Sequence, residues 1–424
     1  MANQTEFIPS LVSWNLTKAC NLRCPHCYMD GGVKAANELT TQECLGLIEE
    51  LNTLGTEMLI LTGGEPLLRK DIFEIAQYAS NLGIWVVMGT NGCLINDNSV
   101  QKMIECGVQG VAISIDSIDP EKHDQFRGGP DAWHHSVRAL EICRANGLQV
   151  LVQTTVMDMN YAEIPELLKF AREKGAWSFN LYFLVQTGRG QLLNDLSPER
   201  TEIMLSNLVD WQDDYRPMLV RSKCAPQFKQ IAYERGLGGL ESGGCMAGTE
   251  YCRITPEGDV TPCPYMDVVA GNIRDKSFGE IWRTSKVFQE LRDVTQLKGR
   301  CGKCEFNELC GGCRCRAYAT FGDYLQEDPA CRYQPTGQPL TQQPIAWSKD
   351  SRVRIDRIPL AFIRGKVKQG VEAYARRHGV ALVTASVMEE ALAGEERSKW
   401  LGKLPPFLRQ AGRPKTTVDR KESN

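Results

Sequence analysis

Six short apolar runs alternate with amphipathic stretches over the first 220 residues of the 424-residue chain. This alternation predicts parallel strands joined by helical crossovers. The predicted strands are Leu11–Leu16, Met58–Leu61, Ile84–Met88, Gly110–Ile115, Leu148–Val156 and Trp177–Phe183, and the predicted helices include Thr41–Leu54, Asp71–Leu82, Asn98–Cys106, Trp133–Asn146 and Ala162–Lys174. Because a full eight-unit barrel needs about 250 residues, six units favour an incomplete barrel or an open sheet.

The chain has seventeen cysteines, which is many for its length. Its first ten residues are polar and contain Pro9, unlike a secretory signal peptide, so we expect a cytoplasmic protein. No run approaches the roughly 18 apolar residues of a membrane span, and a net charge of −3 gives no reason to expect a nucleic-acid partner. Disulfides are rare in the cytoplasm, so clustered cysteines indicate metal ligands or catalytic thiols.

Composition changes beyond the predicted strands. Gly236–Gly244 is rich in glycine, and Cys245–Cys331 is dense in cysteine, as in a module held by metal. From Trp347 onwards the chain has 17 Lys and Arg against 9 Asp and Glu, which suits an acidic ligand or partner, or a solvated surface. The predicted divisions are a core domain at 10–222, a cysteine-rich domain at 223–335, a linker at 336–346, a small helical domain at 347–402 and a disordered tail at 403–424.

Cys20, Cys24 and Cys27 form a C-x3-C-x2-C motif directly after the first predicted strand. Three thiolates on one loop can hold three irons of a [4Fe–4S] cluster and leave the fourth iron open to a substrate or cofactor. The alternative is a zinc site, which needs a fourth nearby ligand. His26 lies within the motif, but its position beside Cys27 makes its reach awkward.

This motif, followed by Tyr28, resembles the signature of the radical S-adenosylmethionine (SAM) superfamily. Gly63-Gly64-Glu65-Pro66 is similar to the family's GGEP segment, which holds the amino group of SAM. Glycines let a backbone approach a ligand, and Glu65 supplies an anion for an ammonium; a simple strand-to-helix turn is the alternative. The ends of the third and fourth strands either contact SAM or merely cap the strands. The resemblance implies SAM contacts from Gly63, Gly64, Glu65, Pro66, Thr90, Asn91, Ser114 and Asp116.

The same resemblance implies a fold, cofactors and a reaction class. The expected fold is α/β, with a partial (β/α)6 barrel of the TIM type before the cysteine-rich domain and a small helical C-terminal domain. The expected cofactors are a [4Fe–4S] cluster and SAM, with flavodoxin or ferredoxin as electron donor. The implied reaction is reductive cleavage of SAM to a 5′-deoxyadenosyl radical, which abstracts a hydrogen atom from the substrate.

A second set of cysteines can hold one or two further [4Fe–4S] clusters, with a zinc ribbon as the alternative. The set resembles the SPASM extension of radical SAM maturases. The resemblance assigns one cluster to Cys245, Cys252, Cys263 and Cys313, and the other to Cys301, Cys304, Cys310 and Cys331. Cys315 can replace Cys313 or remain free. Cys44, Cys93, Cys106, Cys143 and Cys224 are predicted to be mostly inert buried thiols, although Cys224 can face the site.

Longer segments, among them SIDSIDPEKHDQFRG and YCRITPEGDVTPCPYM, resemble the branch of radical SAM enzymes that modifies tetrapyrroles in heme d1 and siroheme-to-heme synthesis. Residues 347–393 resemble the small C-terminal domain found in light-independent protochlorophyllide reductase. Together they imply a tetrapyrrole substrate. Candidate cations for its carboxylates are Arg127, Arg189, Arg364, Lys366, Lys368, Arg376 and Arg377, and candidate iron ligands are His123 and His378.

Two other functions remain open from the sequence. A SPASM-type maturase would modify a ribosomally made peptide, and it would be marked by a peptide-recognition domain near the N-terminus. An iron–sulfur electron carrier or scaffold would have no use for the segments that resemble SAM-binding motifs. Cleavage of SAM by the reconstituted protein separates the enzyme from the carrier.

Overall fold

The computed structural model describes residues 7–235, 244–338, 340, 345–358 and 361–393. These residues divide into two compact units, one ending at residue 340 and the other beginning at residue 345. The predicted tail at 403–424, the end of the predicted helical domain and part of the predicted linker lie outside the described residues.

One sheet runs through the first unit. Its strands are β1 (Leu11–Asn15), β2 (Met58–Thr62), β3 (Trp85–Thr90), β4 (Val108–Ser114), β5 (Gln149–Val156), β6 (Ser178–Phe183), β7 (Leu219–Lys223), β8 (Tyr251–Ile254), β9 (Asp259–Thr261) and β10 (Gly271–Asn272). Their order is β10-β9-β8-β1-β2-β3-β4-β5-β6-β7. Strands β1 to β7 are parallel neighbours, β8 pairs in parallel with the other side of β1, and β9 and β10 are antiparallel.

This topology confirms the α/β class and all six predicted strands, and β7 adds a seventh parallel strand. β7 and β10 stand at the two ends of the hydrogen-bonded order, so the sheet formed by the described residues is open. The cysteine-rich segment contributes β8, β9 and β10, so it continues the sheet of the core.

The helices follow from local sequence signals. α1 begins with a capping box, in which the Thr40 side chain accepts from the Glu43 N–H and the Glu43 carboxylate accepts from the Thr40 N–H. α4 ends at Gly128, whose φ of 65° suits glycine. The helices of this unit are α1 (Thr41–Thr53), α2 (Ile72–Asn81), α3 (Asp97–Glu105), α4 (Pro120–Arg127), α5 (Ala132–Ala145), α6 (Ile164–Glu173), α7 (Pro198–Asp214), α8 (Phe228–Glu234), α9 (Phe278–Thr284), α10 (Lys286–Arg292), α11 (Gly299–Lys303) and α12 (Arg314–Phe321).

The two faces of the sheet differ in burial. On β5, Val150, Val152, Thr154 and Val156 are buried, whereas the alternate residues from Gln149 to Thr155 are half-buried. Strand side chains alternate between faces, so one face packs under the helices and the other, the inner face, keeps partial access. Through the strand register the inner face carries Ser13, Thr62, Ser114, Gln153, Thr155, Asn180, Tyr182, Arg221, Lys223 and Arg253.

The second unit packs around apolar residues of its helices. Ile355, Val367 and Val371 are buried, and the indole N–H of Trp347 donates to a buried Glu372 carboxylate at 2.7 Å. Its elements are β11 (Ala346–Trp347), α13 (Lys349–Asp356), α14 (Ala361–Arg377), β12 (Leu382–Val383) and α15 (Ala385–Ala393). In neither unit do the described residues include a helix that is both long and apolar enough to cross a membrane.

Candidate active site

The loop after β1 brings Cys20, Cys24 and Cys27 together, with each thiol half-buried. Backbone N–H groups point at two of the sulfurs, from Leu22 to Cys20 at 3.4 Å and from Gly31 to Cys27 at 3.4 Å. Burial raises the pKa of the Cys20 thiol to about 11. Such N–H donors stabilise the charge of thiolates that bind iron, so the loop suits the predicted cluster.

Gly63 and Gly64 pack directly against this cysteine loop. The N–H of Gly64 donates to Thr17 O and that of Glu65 donates to Ala19 O, both at 2.7 Å. A Cβ on Gly63 would lie 2.5 Å from Thr17 O, and one on Gly64 would lie 2.2 Å from Ala19 O. The glycines therefore permit close packing on the loop that holds the cysteines, a role that the sequence motif alone did not show.

Glu65 follows β2, and its fully buried side chain reaches the end of β3. Its carboxylate accepts from the Thr90 hydroxyl at 2.8 Å, from the Asn91 N–H at 3.0 Å and from the Leu67 N–H at 3.2 Å. Burial raises its pKa to about 7. Glu65 thus ties two predicted SAM-contact residues to the GGEP segment, and an added ammonium would compensate its buried charge.

Thr90 and Asn91 reach the cysteine loop from β3. The Asn91 amide donates to Asn21 Oδ1 at 2.8 Å and lies 4.0 Å from the sulfur of Cys20. Ser114 ends β4 half-buried, and Pro66 is buried at the start of a single 3-10 turn, Pro66–Leu68. The structure brings the GGEP and Thr90-Asn91 segments to the first cysteine loop.

Asp116 has a different surrounding. Its buried carboxylate pairs with the buried Arg127 guanidinium and accepts from the Thr155 N–H at 2.7 Å. Arg127 in turn lies 3.9 Å from the Cys24 sulfur, and its carbonyl accepts from the Cys24 thiol at 3.4 Å. The charge of Arg127 is therefore already compensated by Asp116, which does not favour the predicted role in binding a substrate carboxylate.

The other single candidates outside the second unit also have structural partners. Arg189 donates to Cys24 O at 3.0 Å and to Asp30 at 2.6 Å, so it clamps the cysteine loop. His123 is fully buried and accepts from the Asp116 N–H at 3.3 Å. Burial, with the nearby Arg127 charge, lowers its pKa to about 3. This surrounding does not favour His123 as an iron-porphyrin ligand.

The candidate residues of the second unit lie mostly on α14. Lys368 and Arg376 are near the buried Glu372, at 3.9 Å each, and Arg364 is 3.8 Å from Asp356. His378 is exposed, and its ring packs at a tilt of 38° against Tyr374 with ring centroids 4.2 Å apart. The side chains of Lys366 and Arg377 lie outside what the structure describes.

The second cysteine set separates into two groups. In the first, Cys245, Cys263, Cys313 and Cys315 pack together, and Cys224 joins them from the end of β7. Cys224 has a left-handed backbone, with φ 60°, which is uncommon for a residue other than glycine. The predicted ligand Cys252 is instead fully buried on β8 near Arg292.

Strand geometry explains why the prediction misplaces Cys252. Its neighbours Tyr251 and Arg253 lie on the inner face, where Tyr251 is near Cys263 and Arg253 contacts Asn15. Side chains alternate along a strand, so the Cys252 thiol points to the opposite face. The structure does not bring the Cys252 thiol to the other three predicted ligands, whereas Cys224 lies beside them.

The second group contains the four cysteines predicted for it. Cys304, Cys310 and Cys331 each have Cys301 as an electrostatic neighbour. The Arg314 guanidinium donates to the Cys301 sulfur at 3.4 Å, and the Gly312 N–H donates to the Cys310 sulfur at 3.4 Å. Burial raises the pKa of the Cys331 thiol to about 12, so this thiol needs a metal or another cation to ionise.

A buried carboxylate joins the two groups. Asp328 accepts from the Cys313 N–H and from Gln227, both at 2.7 Å, and pairs with Arg316 at 3.3 Å. In the described parts of the chain, no three His, Cys, Asp or Glu side chains converge as ligands of a single metal ion. The thiolates of a cubane cluster bind different irons, so each group has the composition of a cluster site.

Aromatic and basic side chains occupy the inner face between these cysteines. Tyr28 has Cys27 and Cys263 as neighbours, packs edge-on against Tyr265 at 5.2 Å, and accepts from the Asn15 amide at 2.9 Å. Tyr182 neighbours Tyr28, Cys224 and Cys263, and burial raises its pKa. The inner face therefore runs from the first cysteine loop to the second cysteine set.

Two cations on β7 complete this surface. Burial lowers the pKa of Arg221 to about 10, and burial together with the Arg221 charge lowers that of Lys223 to about 8. Arg253 lies over the Tyr28 ring at 5.5 Å and donates to Asn15 at 2.5 Å. Reasoning from the sequence missed this surface, although the alternate residues of Leu219–Lys223 were a signal for it.

Comparison with known families defines the class of this protein. Residues 14–171 match the radical SAM superfamily, 245–314 match the SPASM iron-sulfur cluster-binding domain, and 347–391 match the proto-chlorophyllide reductase 57 kD subunit. The resemblances stated from the sequence are confirmed. The chain belongs to the radical SAM superfamily and carries a SPASM domain; it is an enzyme that uses SAM and iron–sulfur clusters.

Among similar proteins is an AdoMet-dependent heme synthase of Methanosarcina barkeri, with 41% identity over 77% of this chain and 97% of that protein. A pre-heme d1 synthase of Dinoroseobacter shibae has 32% identity over 76% of this chain and 87% of its own. The solved structure of Streptococcus suis SuiB bound to S-adenosylmethionine covers 77% of this chain and 78% of its own, with a TM-score of 0.65 and 17% identity. That likeness shows the fold.

Proposed function

We propose that this enzyme modifies carboxylate side chains of a tetrapyrrole in a reaction of the heme-synthase type. The observation that carries the proposal is the 41% identity to an AdoMet-dependent heme synthase along 97% of that protein. A relative from the same organism is a Fe-coproporphyrin III synthase, with 30% identity over 76% of this chain. The aromatic and basic inner face supports a large, flat, anionic substrate.

The cysteine loop and the GGEP segment form the SAM site in this proposal. Cys20, Cys24 and Cys27 hold a [4Fe–4S] cluster, which with bound SAM supplies a 5′-deoxyadenosyl radical after one-electron reduction. Glu65 faces the SAM ammonium, since its carboxylate has lone pairs beyond those that accept from Thr90 and Asn91. The remaining contacts with SAM come from Gly63, Gly64, Pro66, Thr90, Asn91 and Ser114.

Asp116 acts through Arg127 instead of touching SAM. The pair is buried, and Arg127 sits 3.9 Å from the Cys24 sulfur. A positive charge at that distance stabilises a thiolate, while Asp116 fixes the guanidinium in place. Asp116 is therefore a positioning residue for the first cluster.

Two auxiliary clusters are part of the proposal. The first is held by Cys224, Cys245, Cys263 and Cys313, with Cys315 as a nearby additional thiol. The second is held by Cys301, Cys304, Cys310 and Cys331. Flavodoxin or ferredoxin supplies the electrons, and the enzyme works in the cytoplasm.

The test is anaerobic incubation of the reconstituted protein with SAM, dithionite and iron coproporphyrin III, followed by mass spectrometry. We expect 5′-deoxyadenosine together with loss of carboxyl groups from the tetrapyrrole. A mycofactocin-type precursor peptide is the parallel substrate, because the mycofactocin maturase of Mycobacterium tuberculosis has 31% identity over 76% of this chain. Modification of that peptide, with iron coproporphyrin III unchanged, would contradict the proposal.

A further inference from the structure

Strand β7 places two cations on the inner face. Arg221 and Lys223 are alternate residues of Leu219–Lys223, so their side chains leave the strand on the same side. Their register partners are Asn180 and Tyr182 on β6. Neither β6 nor β7, both of which the structure describes throughout, carries a carboxylate side chain.

These two cations have no carboxylate partner among the described residues. The charged or titratable neighbours of Arg221 are Tyr182 and Lys223, and those of Lys223 are Arg221 and the Cys224 thiol. The Arg221 guanidinium contacts the Trp177 ring at 5.4 Å. Two half-buried like charges repel each other, and such an arrangement is stabilised when an anion binds between or beside them.

The third cation of the inner face is already engaged. Arg253 donates to Asn15 at 2.5 Å and lies over the Tyr28 ring, and it is buried between the two. The free positive charge of the surface is therefore concentrated on β7. Tyr182 connects it to Tyr28, which follows the ligand Cys27.

We propose that Arg221 and Lys223 bind one carboxylate side chain of the substrate and thereby set which edge of the substrate faces the first cysteine loop. This inference rests on the proposed function, because it assigns the subsite for a propionate-type carboxylate of the tetrapyrrole. Arg221 offers two parallel N–H donors to a carboxylate, and Lys223 adds a point charge. Tyr182 is the register partner of Lys223, and the Trp177 ring lies against the Arg221 guanidinium.

The test is optical titration of the anaerobic holoenzyme with iron coproporphyrin III and, separately, with its tetramethyl ester. The variants are Arg221→Met, Lys223→Met and the conservative Arg221→Lys. Lys169→Met, an exposed cation on α6, is the matched control for loss of one positive charge. Iron content is measured for every variant, so that damage to the neighbouring Cys224 group is seen directly.

We expect each Met variant to weaken binding of the free acid roughly 10- to 100-fold, as loss of one charge-assisted contact predicts. Binding of the ester should not change, Arg221→Lys should restore part of the loss, and Lys169→Met should bind like the wild type. Equal binding of the acid by wild type and Met variants would overturn this subsite and leave the proposed function standing. A loss of iron in Lys223→Met, with normal binding by Arg221→Met, would also overturn it.

Failure of the proposed function would give a different result in the binding titration of the wild-type holoenzyme. If the wild-type holoenzyme binds neither the acid nor the ester, the tetrapyrrole assignment falls and the subsite falls with it. If acid and ester bind equally well to the wild type, the tetrapyrrole assignment stands and the carboxylate subsite is refuted.

Discussion

The two cysteine regions of this protein are organised in different ways. Cys20, Cys24 and Cys27 lie on one loop after β1, where their spacing alone brings the thiols together. The cysteines of the auxiliary groups are spread between residues 224 and 331, and they meet through β7, β8 and the loops around α11 and α12. A short motif is therefore sufficient evidence for the first site, whereas the second depends on how distant strands are paired.

The largest expected effect comes from a substitution that removes the first cluster and leaves the auxiliary clusters in place. Replacing Cys24 with Ala leaves the first cluster with two thiolates, and we expect 5′-deoxyadenosine formation to be abolished. The auxiliary clusters should remain loaded, with about 8 of about 12 Fe per chain retained. Iron analysis and chromatography of the reaction products measure both. Cys143→Ala, a buried thiol of α5, is the control and should keep full activity.

Normal 5′-deoxyadenosine production by Cys24→Ala would refute the assignment of the loop. Tightly bound zinc in place of iron in the wild-type protein would refute the cluster model for both regions.

The second prediction tests how the first auxiliary group is assembled. Cys224→Ala should lower the iron content by about 4 Fe per chain, because one of four thiolates is lost. Cys252→Ala should keep its iron, since that thiol lies on the other face of β8. The paired variants are compared by iron analysis and by electron paramagnetic resonance of the reduced proteins. Loss of iron in Cys252→Ala, with normal iron content in Cys224→Ala, would support the assignment made from the sequence.

The third prediction concerns the carboxylate beside the first region. Glu65→Gln removes the negative charge while keeping the shape, and it should weaken SAM binding by roughly 1.5–3 kcal/mol if the ammonium contact is charge-assisted. The pKa of Glu65 is about 7 without the ligand. SAM affinity should therefore fall as the pH drops below about 7, where the carboxyl becomes protonated, and level off above it.

Equilibrium dialysis of SAM between about pH 6 and about pH 8 measures this dependence for the wild type and Glu65→Gln. The variant should lose the dependence. A pH profile that is the same in both proteins would show that Glu65 does not hold the ammonium.

The smallest effect is expected from the second unit. Truncation after Gln338 removes the unit that begins at residue 345 and leaves both cysteine regions in the first unit. We expect unchanged iron content and substrate-free SAM cleavage, with lower turnover of the tetrapyrrole if the second unit serves in docking. Unchanged turnover would assign that unit another role, and an insoluble product would show that it supports the catalytic unit.

Local patterns explain what could be predicted from the sequence. The six strands follow from periodicity, and the helix that starts at Thr41 follows from periodicity and capping. The positions of Cys252 and Cys224 could not be predicted, because they depend on contacts between residues far apart in the sequence. The pairing of β8 with β1 decides which way Cys252 points, and Cys224 joins the group from the end of β7, far from the other cysteines in the sequence.

The roles of the basic residues also depend on contacts that the sequence does not show. Arg127 and Arg189 are near motifs in the sequence, yet they hold Asp116 and the cysteine loop. Arg221 and Lys223 are alternate residues in the sequence, but only the register of β7 with β6 shows that the side they share is the inner face. The face of the sheet on which a charged residue lies is known only once the pairing of its strand is known.

Transfer of deuterium tests the central claim most directly. Iron coproporphyrin III labelled with deuterium on the methylenes of its propionate groups is incubated anaerobically with SAM, dithionite and the holoenzyme. We predict deuterium in the 5′-deoxyadenosine and loss of carboxyl groups from the same tetrapyrrole. Unlabelled 5′-deoxyadenosine beside an unchanged tetrapyrrole would contradict the proposed reaction.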